Sequence, residues 1–254
     1  MNHFWNITLF NGFTVHLNTL IMTWAAMGLL LALAWLATRE LRVSPSLRQT
    51  VGEGFYDFCR SITMATAGPR GDGYLFFIGS LFLFILTANL MGQLPLRLAD
   101  PLLPHGSLIA ATGDINTTTA LALLSLAMYI GVAIKRTGLK GFIKHHFQPH
   151  WAFFPLNLLE HITRPGSLLI RLYFNILVGE ILSHLALTIA PLMVPAAVIG
   201  LELFVAVVQA YIFAILSAVY IALMSETHDD HAHSEPHAAQ TPAALSETPS
   251  VRAA

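Results

Sequence analysis

The chain has 254 residues, 55% of them hydrophobic and 11% charged, with a formal net charge of -1 and a mean hydropathy of +0.64. Soluble domains carry about 25% charged residues, so this composition excludes an ordinary water-soluble globule and points to a bilayer. The single cysteine, Cys59, excludes an internal disulfide framework, and no basic patch for nucleic acid, phosphate-cradling glycine loop or Ser/His/Asp nucleophile set is present.

A membrane-crossing helix needs about 20 mostly apolar residues. The first such run is Leu20 to Ala37. No Lys or Arg precedes it and no small-residue cleavage site follows, so it reads as a retained span and not as a removed signal peptide. Between Ala37 and Tyr74 the chain is too polar to cross. There Leu47, Val51, Phe55, Phe58 and Ile62 recur at helical spacing, which predicts an amphipathic helix at the interface or packed along a bundle, with a polar loop as the alternative. Tyr74–Leu94 is a second span, and Thr118–Ile134, closed by Lys135 and Arg136, is a third. Ser167–Ala190 and Ala196–Met224 are the fourth and fifth, joined by "PLMVP" into a hairpin with a tight apolar turn. The expected fold is an all-α polytopic membrane protein: five membrane-crossing helices, one amphipathic interfacial helix, and a long hairpin formed by the last two spans.

Basic residues orient the spans. Arg39, Arg42, Arg48, Arg60 and Arg70 lie between the first and second, and Lys135, Arg136, Lys140, Lys144 and Arg164 between the third and fourth. The loop after the second span carries Arg97 alone, and the hairpin turn and N-terminal segment carry none. The expected organisation is an external segment over residues 1–19, a membrane-embedded domain over 20–225, and a disordered, His-rich cytoplasmic tail over 226–254. His228, His231, His233 and His237 of that tail fix no closed ligand set, so no metal or cofactor is expected.

Ionisable groups inside a span are costly and usually functional. Arg171, Glu180 and Glu202 are such groups, accompanied by Asn175 and Gln209. At about 100° per residue, Asn175 lies about 40° from Arg171, one turn on. Glu180 falls on nearly the opposite face and about 13 Å along the axis, too far to pair with Arg171. Glu202 and Gln209 share a face of the fifth span. The bland alternative is a snorkelling arginine with carboxylates serving only helix contacts. A guanidinium stays charged at any working pH, whereas a desolvated carboxylate can exchange a proton near neutrality. Together they suit a path in which protons hop between carboxylates and meet a barrier they cannot cross, with a mobile carboxylate on another protein as the carrier.

The stretch "SLLIRLYFNILVGE" resembles the signature of subunit a of the F-type ATP synthase membrane sector. "VVQAYIFAILSAVYIALMSETH" is similar to that family's last helix, and "NLMGQLP" and "GDINTTTALAL" to two shorter elements, all in order from the second span to Met224. The resemblance implies a non-catalytic stator subunit that forms two ion half-channels beside a ring of c subunits and couples ion flow to ring rotation and ATP synthesis. The implied partners are the c-ring, b-type peripheral stalk subunits, the rest of the F1F0 complex and the lipid bilayer; a bacterial inner membrane is the expected location, since no organellar transit pattern precedes the first span. Arg171 matches the family's essential arginine, and Asn175 and Gln209 match its polar neighbours. Glu180 matches an outer half-channel carboxylate, with Glu202 where many members place its partner. Asp114 and Asn116 match polar residues at the outer end of the third span, and Glu160 an acidic residue at the inner exit, with Ser167 near it. Tyr173 stands where Phe is usual and Phe174 where Gly is common. A sodium-carrying version of the same subunit, a stand-alone proton-coupled transporter and a non-transporting scaffold are the alternatives.

Overall fold

In hydrocarbon every backbone N–H and C=O must be paired within its own segment, so long apolar runs become helices. The computed structural model of the chain describes residues 6–9, 13–39, 41–44, 46–93, 110–146, 154–189 and 193–226. Among the described residues six α-helices build the fold: α1 (Leu17–Thr38), α2 (Leu47–Ala67), α3 (Leu75–Gln93), α4 (Ile115–His146), α5 (Phe154–Ile189) and α6 (Met193–Glu226). Five helical segments among the described residues, one in each helix but α2, are long and apolar enough to cross a membrane, as expected. Residues 227–254, which include the proposed tail and its histidines, lie outside the described residues.

The N-terminal segment contains structure that the sequence reading did not anticipate. Strands β1 (Asn6–Leu9) and β2 (Phe13–His16) pair antiparallel with Asn6 opposite His16 and Leu9 opposite Phe13. The "NITL" and "FTVH" alternation and the Asn11-Gly12 dipeptide between them are hairpin signals. This ribbon leads directly into α1, and the bundle itself is helical.

Position within the bundle follows from each helix's pattern. The helix α1 is apolar all round, buries only Met22 and Ala26, and exposes Trp24 and Leu31, as a helix bordering lipid should. The core is built by α3 against α6, α4 and α5: Ile78, Ile85, Tyr129, Leu168, Leu172, Phe213 and Ile221 are almost wholly buried. In α2, Ser46 caps the N-terminus by accepting from the Gln49 N–H, and Gly68 (φ 58) ends the helix. The helix packs into the bundle: the Phe58 ring lies 5.4 Å from Phe82 of α3 and 6.0 Å from Tyr211 of α6. Its buried line is Cys59, Ile62 and Thr63, while Leu47 and Val51 of the expected apolar face stay exposed. Burial pushes the Cys59 thiol above its ordinary pKa, the environment of an inert cysteine.

The hairpin differs from expectation at both ends. The α5 helix starts at Phe154, well before Ser167, and runs through Pro165. A proline removes one helical N–H and crowds the carbonyl four residues back. Here it is buried on the packed side of α5, where tertiary contacts hold the helix across it. The α6 helix starts at Met193, so Met193–Pro195 of "PLMVP" already form its first turn, where a missing N–H costs nothing extra. At about 1.5 Å per residue, the 36 residues of α5 and 34 of α6 are each over 50 Å long, against a hydrocarbon core of about 30 Å. Neither helix fits upright in that core. Helix α4 breaks at Gly138, whose φ of 70° is open to glycine, just after Lys135 and Arg136.

Two contacts fix the register of the bundle. Ser125 Oγ of α4 donates to Ser217 Oγ of α6 at 2.9 Å, both side chains buried. At the end of α3, Gly92 lies so close to Ala110 that an added Cβ would collide with the Ala110 Cβ. Gly92→Val is therefore expected to destabilise the chain by about 1–3 kcal/mol, the usual range for overpacking, read as a lower midpoint in detergent thermal unfolding. An unchanged midpoint would mean that this contact is not tight.

Candidate functional site

The packed side of α5 is the line Leu168, Leu172, Ile176, Gly179 and Ala186, all buried. Its other side exposes Ile170, Phe174, Val178, Ile181 and Leu185. Arg171 projects on this exposed side. Among the described residues its guanidinium makes no hydrogen bond or ion pair, and it does not pair with Glu180. Phe174, next to it on the same surface, is 53% exposed and stands edge-on to Tyr173 with ring centroids 5.6 Å apart.

Asn175, one turn from Arg171, is partly exposed. Gln209 of α6 is buried, and its Nε2 has no hydrogen-bond partner among the described residues. The two helices run antiparallel with Ser183 on Glu202. Eight residues back along α5 and seven forward along α6 therefore bring Asn175 and Gln209 to nearly the same level, close to that of Arg171.

Beyond this level, Glu202 is almost buried in the hairpin and its Oε1 accepts from Ser183 Oγ at 2.7 Å. The missing side chain of Gly179 makes room for it: a Cβ there would sit 3.2 Å from Glu202 Oε1. Glu180, the residue after Gly179, is partly buried. The carboxylate of α6 thus sits in a small-residue niche of α5 formed by Gly179 and Ser183. Ser183 and Gly179 were not singled out by the sequence reading. Their signal is the spacing of four that puts both on one face of α5, in a span whose partner carries a carboxylate.

At the same end of the bundle, Asp114 precedes α4 and caps it: Oδ1 accepts from the Asn116 N–H at 2.9 Å. Its Oδ2 accepts from Thr19 Oγ1 of α1 at 2.8 Å and lies 3.7 Å from His16 Nδ1. Asn116 takes part through its backbone, and its side chain is exposed. Nearby, Thr112 Oγ1 donates to Asn89 Oδ1 at 2.7 Å, both residues fully buried, and Asn89 Nδ2 has no partner among the described residues. Asp114 therefore serves first as a helix cap and a tether for α1. Asp114→Ala is expected to cost about 1 kcal/mol and lower the thermal midpoint, while Asp114→Asn, which can still cap, should leave the midpoint nearly unchanged. Equal losses in both variants would show that charge, and not capping, is what Asp114 supplies.

At the opposite end, Glu160 and Ser167 are exposed on α5. Glu160 pairs with Arg164 one turn on, and the Arg164 Cζ lies over the Tyr220 ring of α6, 5.3 Å from its centroid. Arg164 Nη1 is buried without a partner among the described residues. Tyr129 of α4 donates to the His161 carbonyl at 3.3 Å. Arg164, which sequence reading used only to orient the chain, is thus the centre of this cluster. Polar groups collect at the two ends of the bundle, with Arg171 between them. Along α5, Glu160 is about 16 Å before Arg171 and Glu180 about 13 Å after it.

The chain matches the family model described as ATP synthase A chain over residues 20–222. It is 40% identical over 220 residues to ATP synthase subunit a of Gloeobacter violaceus, an alignment spanning 86% of this chain and 87% of that relative.

Proposed function

Because the chain belongs to the ATP synthase A chain family, we propose that it is the stator through which protons pass to and from a rotating c-ring. It is an integral membrane protein of the ATP synthase membrane sector. The proposal adds the ion, the path and the residues. Protons enter from the end marked by Asp114, Asn116, Glu180 and Glu202, move to a ring carboxylate, and leave by the end marked by Glu160 and Ser167. Arg171, flanked by Asn175 and Gln209, separates the two half-channels. The chain holds no catalytic group of its own; b-type peripheral stalk subunits keep it from turning with the ring. The membrane is a bacterial inner membrane, with the N-terminus outside and the C-terminus in the cytoplasm.

One observation carries this reading. A permanently charged arginine lies on the exposed apolar side of a membrane helix, unpaired among the described residues. A lone charge at mid-bilayer costs about 2.5–3.5 kcal/mol even on insertion scales. A carboxylate carried past that face by another protein removes the cost each time it arrives. It is held ionised there and cannot carry its proton across directly. Each proton crossing the membrane releases about 2.3 kcal/mol per 100 mV, and that energy turns the ring only when the direct route is closed.

The test is ATP synthesis in inverted membrane vesicles under an imposed pH gradient and potential. Synthesis is expected to proceed in sodium-free buffer and to collapse with a protonophore. A requirement for sodium would replace the ion in this reading, and function of the isolated chain alone in liposomes would replace the stator by a stand-alone transporter.

A further inference from the structure

A second polar feature of the membrane surface lies away from the hairpin, where α1 ends and α2 begins. A cavity of about 370 Å³ there is lined by Leu36, Ala37, Arg39, Ser46, Leu47 and Arg48. Arg39 and Arg48 are exposed, and among the described residues neither is in an ion pair. Glu53, the carboxylate described in this segment, accepts instead from Gln49 Nε2 at 2.7 Å. Glu40, beside Arg39 in the chain, lies outside the described residues.

The walls are held in place. Gln49, itself buried, clamps the connecting segment: Arg42 N–H donates to its Oε1 at 2.9 Å, and its Nε2 donates to the Arg42 carbonyl at 3.0 Å. Gly52 lets α2 close on α1, since a Cβ there would lie 3.2 Å from the Ala37 Cβ. The depth is also defined. Arg39 stacks on Trp35 with its Cζ 4.9 Å from the ring centroid, and the indole is exposed at the end of an apolar 22-residue helix. Exposed tryptophan and arginine at such an end sit at headgroup level.

We propose that this cavity binds the phosphate of an anionic phospholipid in the leaflet that meets the end of α1. Two guanidinium groups and the Ser46 hydroxyl supply donors for phosphate oxygens. The apolar part of the lining distinguishes a lipid from a free anion. Leu36 and Leu47 flank the arginines, and Leu47 is 83% exposed with Leu41 and Val43 exposed beside it. An acyl chain covers such a surface, whereas inorganic phosphate leaves it in water. The lipid would fasten the α1–α2 corner at a fixed depth. This inference rests on the chain being an integral membrane protein and is independent of the ion path.

The experiment is native mass spectrometry of the full chain, purified in the complex it assembles into, titrated with dioleoylphosphatidylglycerol or dioleoylphosphatidylcholine. The expected result is one tight site for the anionic lipid and none for the zwitterionic one. Affinity should fall about 30-fold in R39Q/R48Q, the effect of two basic groups near a membrane surface. Leu47→Glu, which places a carboxylate at the mouth, should weaken it too and carries the test should the double variant fail to assemble. Equal binding of the two lipids, or wild-type affinity in an assembled variant, overturns the proposal. So does displacement of the lipid by inorganic phosphate at equal concentration, which would make the cavity a plain anion site. Absence of any lipid from the wild-type complex would mean that a protein surface fills it.

Discussion

Replacing Arg171 with alanine is expected to abolish coupled ATP synthesis while leaving the complex assembled. The residue projects from the exposed side of α5 and makes no internal bond among the described residues, so its removal leaves no buried partner orphaned and opens no core cavity. What disappears is its attraction for a carboxylate passing outside. Two unit charges about 4 Å apart at an effective dielectric of about 20 interact by about 4 kcal/mol, or about a thousandfold in the population of the ionised carrier. Without it the carrier stays protonated past the barrier, and protons slip without turning the ring. Arg171→Ala vesicles should therefore show ATP synthesis at background level and an increased passive proton leak. Arg171→Lys should fail as well, because a desolvated ammonium can lose its proton where a guanidinium cannot. The measurement is ATP synthesis alongside decay of an imposed pH gradient, with assembly checked by co-purification. Near-wild-type synthesis in the alanine variant would remove the foundation of the proposed mechanism.

The spans were legible because lipid leaves few options: about twenty apolar residues become a helix, and the positions of Arg39, Lys135 and Arg136 mark where it ends. Contacts between helices were much less legible. "NLLEHITRPG" looks like a polar connection with a proline at its end, yet it is the first part of α5, because burial of Pro165 and the Glu160–Arg164 pair make helix acceptable there. On the apolar face of α2, Ile62 is buried in the bundle whereas Leu47 and Val51 are exposed, a division that amphipathic spacing cannot foresee when bundle and lipid are both apolar. Asp114 was read as a polar group of the path, but its position before α4 also makes it a cap, and the structure puts that bonding on it directly. Serines in apolar helices are ambiguous for a similar reason. Ser80 returns its hydroxyl to the carbonyl of Phe77 three residues back, a use that needs no partner helix. Ser183 and Ser217 instead reach across to another helix, and nothing local in the sequence separates the two cases.

Glu202→Gln is the second change with a large expected effect, and its logic is opposite to that of Arg171. Glu202 is almost buried and accepts from Ser183, so it could be a structural acceptor or a proton carrier. Glutamine keeps the volume and offers an amide oxygen to the same hydroxyl, so the hairpin should assemble with an unchanged thermal midpoint. It cannot take up or release a proton, and coupled synthesis should fall by about 10²–10⁴, the range of a lost proton-transfer group. Ser183→Ala removes a single hydrogen bond worth about 1 kcal/mol; it should reduce synthesis by less than tenfold. Gly179→Val acts on the same niche by volume, because a side chain there meets the carboxylate at 3.2 Å or closer, and it should impair synthesis even with Glu202 intact. The decisive comparison is between Glu202→Gln and Glu202→Asp. An aspartate keeps the proton site but is one methylene shorter, so it should retain part of the activity that glutamine loses. If glutamine supports wild-type synthesis, the carboxylate serves only to hold α5 and α6 together, and Glu180, the other carboxylate of the hairpin, is the next group to substitute.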